Sequence, residues 1–177
     1  MTLTPAQGAT QAIRFLRQFY KDLAAMIKTC DQLLGAKGWQ PPHVSKIADV
    51  SNSLEKHNRW TLTWLLRIYV RSNGGTHEAI GILPVLELKG LDQAVCLVVR
   101  GQFAKQQTHK RIWDNWQDAT PIIHYLMEHP DAPEVPLEVL RQGAMQQAVS
   151  SRAFLVPLAE LIDRDAVRKR LVEPLLR

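Results

Sequence analysis

Apolar residues recur at Ile13, Leu16, Tyr20, Leu23, Ile27, Cys30 and Leu34, in alternating steps of three and four. A 3.5-residue period held over so many turns leaves room for little except one long amphipathic helix. Phe15, Phe19, Met26 and Leu33 widen the stripe beyond what a two-stranded coiled-coil seam needs, so the helix is expected to lie across a sheet. Thr4 before Pro5 suits a cap with proline in the first turn, and Gly35 with Gly38 suits a stop, which bounds the helical unit at 1–36.

After Trp39 to Asn58, read as loop with room for one short element, the period changes from 3.5 to two. Between Arg59 and Arg71, Leu62, Trp64, Leu66, Ile68 and Val70 point one way, and Thr61, Thr63, Leu65, Arg67, Tyr69 and Arg71 point the other. Ser72-Asn73-Gly74-Gly75-Thr76 is turn chemistry, and the apolar runs Ala79 to Lys89 and Ala94 to Phe103 follow, joined by Lys89-Gly90-Leu91-Asp92. Three strands with short connections make an antiparallel meander over 59–103. Matching by composition groups Leu62, Trp64, Leu66, Ile68 and Val70 with Ile80, Ile82, Leu86 and Leu88, and with Val95, Leu97, Val99 and Phe103, on one apolar face offered to the first helix. The opposite face mixes Leu65, Leu83, Val85, Cys96 and Val98 with Arg67, Tyr69, Arg71, Glu87, Lys89 and Arg100, and is too apolar to face water. It calls for cover, from the C-terminal helices or from a second copy. Pro84 in the middle strand predicts a bulge or break over Gly81 to Pro84, because its missing N–H would cost a ladder bond.

The region 108–177 reads as mainly helical. Helices are expected over Thr108 to Ala119, from Thr120-Pro121 to about His129, over Pro136 to Val149, and over Asp163 to Glu173, where Pro174 should end the last one. Residues 151–161 fit either a fourth strand or a helix. The fold class is therefore α+β in a single domain, 1–177: a long N-terminal helix packed on a three- or four-stranded antiparallel meander, followed by short C-terminal helices.

A chain of 177 residues with 46% hydrophobic and 22% charged residues has the make-up of a globular domain, which excludes disordered, collagen-like and disulfide-stapled classes. Cys30 and Cys96 each sit in an apolar run and read as two buried, reduced thiols. No apolar run reaches 18 residues and Met1 to Ala12 has no leader pattern, so the expectation is a cytoplasmic protein with no membrane partner. The net charge of +5 is uneven: residues 1–90 carry 11 Lys/Arg against 6 Asp/Glu, whereas 91–177 carry 11 of each. A basic N-terminal half permits a polyanion partner without requiring one.

Motifs for covalent or phosphate chemistry are missing. There is no GxxxxGK[ST], GxGxxG or GxSxG string, and the six histidines, His43, His57, His77, His109, His124 and His129, lack metal-ligand spacing. His124 with Glu128 at i, i+4 is better read as a surface hydrogen bond than as a metal edge. Glu87-Leu88-Lys89 resembles the end of the PD-(D/E)xK nuclease motif, in which carboxylates hold a divalent cation and lysine orients water. That motif also needs an acid earlier in the hairpin, and Arg59 to Leu86 offers only Glu78. The reading preferred for Glu87 is an ion pair with Arg67 and Arg100 across the strands.

On the first helix Arg14, Arg17, Lys21 and Lys28 form a basic stripe able to follow a phosphate backbone, and equally able to be the solvated flank of an amphipathic helix. Trp113 and Trp116 read as core or interface anchors. These features lead to one expected function and two alternatives. The expected one is a non-catalytic interaction or regulatory module without cofactor or metal, which self-associates as a homodimer through the mixed sheet face or the Trp-bearing helix and leaves room for a protein partner. The alternatives are a nucleic-acid-binding protein using Arg14, Arg17, Lys21 and Lys28, and a metal-dependent nuclease using Glu87 and Lys89.

Overall fold

The structure is a computed structural model that describes residues 4–41, 64–116, 118–132, 134–142 and 145–177. Helix α1 spans Pro5–Gly35 and starts in a capping box: the Thr4 hydroxyl accepts from the Gln7 N–H, and the Gln7 side chain accepts from the Thr4 N–H at 2.9 Å. Four antiparallel strands follow in spatial order β1-β2-β3-β4: β1 Arg67–Asn73, β2 Thr76–Val85, β3 Val95–Phe103 and β4 Ala148–Pro157. Between β3 and β4 lie α2 His109–Asn115, α3 Thr120–Glu128 and α4 Leu137–Arg141. A 3₁₀ turn at Leu158–Glu160 leads into α5 Arg164–Val167, a π turn at Arg168–Val172 and α6 Glu173–Leu176. The α+β class is as expected, with four strands in the sheet. The expected strand residues 59–63, and His43 and His57, lie outside the described residues.

Each sheet face buries its own core. Leu66, Ile68, Val70, Leu83, Leu97 and Val99 pack beneath α2, α3 and α4, against Ile112, Ile122, Ile123, Leu126 and Leu140. Leu65, Tyr69, Ile80, Ile82, Cys96 and Val98 pack on the other side, against Leu23, Ile27 and Leu34 of α1 and Val167, Leu171 and Leu175 of the C-terminal helices. Helix α1 therefore covers the face expected to be mixed, and the chain supplies the cover for both faces itself.

The expected grouping fails at β2 for a reason of parity. Gly74 and Gly75, both at positive φ (56° and 84°), close a two-residue hairpin turn that sets Asn73 opposite Thr76. Every β1–β2 pair then joins an odd to an even residue: Arg67 with Ile82, Tyr69 with Ile80, Arg71 with Glu78. Ile80 and Ile82 thus share a face with Arg67 and Tyr69, because a one-residue slip turns every side chain over.

Pro84 causes no break. The β2–β3 register runs unshifted from His77 with Phe103 to Val85 with Val95, and the irregularity falls instead between Gln102 and Phe103, against β4. The Pro84 carbonyl accepts from the Leu65 N–H at 3.0 Å, so its missing N–H points toward Leu65, in the segment before β1 where the isolated Trp64–Val85 bridge continues the pairing. No bond to β3 is lost.

Three C-terminal expectations are corrected. Residues 148–157 form β4, the 3₁₀ turn taking up 158–160, so the helix expected over Pro136 to Val149 is only the five residues of α4. Thr120 lies inside α3, where the Asp118 carboxylate accepts from its N–H at 2.9 Å. Pro174 does not stop the last helix, because the turn before it widens and the Glu173 N–H bonds to the Arg168 carbonyl five residues back.

Cys30 and Cys96 are fully buried free thiols in the α1-side core. Burial pushes the Cys30 thiol up to about 12, and Cys96 also lies well above its ordinary value, again through burial. Neither forms thiolate near neutral pH. The native protein should accordingly leave both thiols unreacted with an aromatic disulfide reagent at pH 8 and release two equivalents only on denaturation. Rapid labelling of the folded chain would contradict the packing of α1 on the sheet.

Candidate functional site

Glu87 and Lys89 lie past the end of β2, both exposed, in the connection to β3. The Glu-x-Lys string is not on a strand, and Glu87 does not reach the arginines expected to pair with it. Arg67 instead holds Asp31 of α1, with its Nη2 2.6 Å from Oδ2 and its Nε donating to Oδ1 at 3.0 Å, while the Tyr69 hydroxyl donates to the same Oδ1 at 2.9 Å. Among the described residues no group of three or more His, Cys, Asp or Glu could hold a metal ion.

Arg100 pairs instead with Glu78 of β2, the one acid between Arg59 and Leu86. Glu78 is 5% exposed, and its carboxylate is held on both sides: Arg71 Nη2 lies 2.5 Å from Oε2 and Arg100 Nη2 2.5 Å from Oε1. The Trp39 ring stacks under this pair, its centroid 4.4 Å from the Arg71 guanidinium carbon, and Arg100 Nη1 donates to the Leu175 carbonyl at 2.7 Å. Burial alone would raise the Glu78 carboxyl, but hydrogen bonds and charge from the two arginines outweigh it and hold the group below its ordinary range. Every member is engaged in tying β1, β2 and β3 to the turn after α1 and to the C-terminus. The cluster is a structural clamp, in which the buried Trp39 indole N–H is left without a hydrogen-bond partner among the described residues.

The hairpin arithmetic could have revealed the clamp. A two-residue turn at Gly74-Gly75 places residue 71 opposite 78, and an arginine opposite a glutamate in a strand is a pairing signal.

Exposed chemistry concentrates on α1. The helix is 31 residues, about 46 Å, long, and only its second half lies on the sheet. In the first half Ile13 is 53% and Phe15 68% exposed, with Leu16, Phe19 and Tyr20 partly buried. The apolar stripe predicted from Ile13 to Leu34 thus continues in phase beyond the body of the domain. The Phe15 and Phe19 rings stack along it at 6.1 Å. Arg14, Arg17, Lys21 and Lys28 occupy the side turned from the sheet; all four are exposed, without an acidic partner among the described residues. Residues 1–21 contain no Asp or Glu at all.

Beside the middle of α1 runs an open groove of about 640 Å³. Phe19, Leu23 and Met26 form one wall and Leu158, Leu161 and Ile162 the other, with Asp22 and Asp163 among its lining. Ile162 is 81% exposed. Ile162 falls in the connection between the 3₁₀ turn and α5, where periodicity carries no information and gives no sign of this wall. Among the described residues, no helix is long and apolar enough to cross a membrane. No protein family, curated protein or solved structure matches the chain.

Proposed function

We propose that this protein is a non-catalytic interaction module of the cytoplasm, and that it self-associates through the projecting first half of α1. The observation that carries this reading is the exposure of Ile13 and Phe15 on a continuous apolar stripe. A helix gains most of its stability from packing its apolar side, and where Ile13 and Phe15 stand exposed a partner's surface supplies that packing. The site sits on a rigid continuation of a helix whose second half is anchored in the core, which suits recognition and offers no nucleophile, acid–base pair or ligand cluster for catalysis.

Light scattering across a dilution series tests it. The wild type should exceed the 20.1 kDa monomer mass at tens of micromolar, and Phe15→Asp should return it to monomer, with an unfolding midpoint equal to the wild type's in dilute solution. A wild type that is monomeric at every concentration refutes self-association.

A second reading is favoured by the unpartnered cations on the same helix: binding of nucleic acid along Arg14, Arg17, Lys21 and Lys28. It predicts a gel shift that weakens steeply with salt and disappears when Arg14 and Arg17 are both replaced by Glu. The exposed, solitary Glu87 gives the nuclease alternative no comparable support.

A further inference from the structure

We infer that the partner of the projecting half-helix is a second copy of this chain, bound antiparallel so that each copy's residues 8–19 enter the other's groove between α1 and the segment after β4. This rests on the self-association reading above and gives it a specific geometry. Each copy carries two unsatisfied apolar surfaces, the stripe at Ile13, Phe15 and Leu16 and the groove at Met26, Leu158 and Ile162. An antiparallel crossing about a two-fold axis near residue 20 fills both grooves with both stripes at once, as an isologous interface requires.

The face of α1 that borders the groove supports the fit. Phe19, Asp22, Met26 and Thr29 line it, and Gly8, Gln11 and Phe15 continue the same side of the helix toward its N-terminus at steps of three and four. The partner's helix therefore meets a seam already in helical register, with glycine at its outer end. Charge is complementary as well. The entering segment carries Arg14 and Arg17 and no acid, while the groove lining carries Asp22, which accepts from the Gln18 side chain, and Asp163, which caps α5, against the single cation Arg164. Parallel pairing would instead set the basic segments side by side and leave both grooves empty.

The test is disulfide trapping with single substitutions, since the native thiols are buried. Gln11→Cys and Thr29→Cys lie the same distance either side of the axis and face each other across the antiparallel pair, whereas position 11 of one copy stands about 27 Å from position 11 of the other. Mild oxidation of the mixed variants should give a crosslinked dimer containing one of each chain, and neither variant alone should crosslink. Adding Phe15→Asp should lower the yield about tenfold, as loss of a central aromatic anchor does. Crosslinking of Gln11→Cys with itself, or a dimer by light scattering that traps no mixed pair, overturns the antiparallel geometry and leaves self-association standing. A wild type that is monomeric throughout overturns both, and if that monomer floats with phosphatidylserine vesicles, the occupant is an anionic membrane surface instead.

Discussion

Glu78→Gln should lower the stability of this domain by about 3 kcal/mol, while Glu87→Gln, nine residues on, should change it by less than about 0.5 kcal/mol. Glu78 is buried between Arg71 and Arg100, so removing its charge leaves two guanidinium groups facing a neutral amide with no other acid within the clamp. Glu87 is solvated and holds nothing. Urea unfolding of both variants measures the difference directly, and similar midpoints would refute the clamp. The contribution also has a pH signature. Because the folded carboxyl is held below its ordinary value of 4.5, its stabilisation is fully present above that value. It is lost as pH falls through the folded value, where the carboxylate protonates. Wild type and Glu78→Gln should therefore differ most near neutral pH and converge in acid.

Ile27→Ala should cost about 2 to 5 kcal/mol, the range for deleting a buried branched side chain and leaving its cavity. Leu23→Ala should behave alike, since both residues are buried between α1 and the sheet. Ile13→Ala, on the same stripe two heptads earlier, should be near neutral in the dilute chain because Ile13 is 53% exposed. Its effect should grow with protein concentration if the stripe is an association surface. Equal urea midpoints for wild type and Ile27→Ala would contradict the packing of α1; a large loss for Ile13→Ala in dilute solution would mean that the first half of the helix is already covered.

These comparisons separate what was legible in the chain from what was not. Local periodicity alone places a helix within 1–36, strands over 59–71, 79–89 and 94–103, and Cys30, Leu23 and Ile27 on the apolar side, because each signal lies within a few residues of its consequence; the described strands run 67–73, 76–85 and 95–103, so the middle one starts earlier, in the tight turn, and ends before Glu87. The α+β class follows from the order of those elements. Pro84 and Pro174 misled because a proline's cost depends on where its missing N–H would have pointed, and at Pro84 that direction is set by a neighbouring strand.

Tertiary structure decided which face each helix covers, and with it every candidate site. A pairing register is a relation between distant residues, so grouping strands by composition alone put Ile80 and Ile82 on the wrong side and hid the Glu78 clamp. The seven-position stripe from Ile13 to Leu34 reads as uniform in sequence, yet its buried positions, Leu23, Ile27, Cys30 and Leu34, all fall in the second half. Whether an apolar side chain is core or a docking surface depends on what stands opposite it, and that is a property of the assembled domain rather than of the helix.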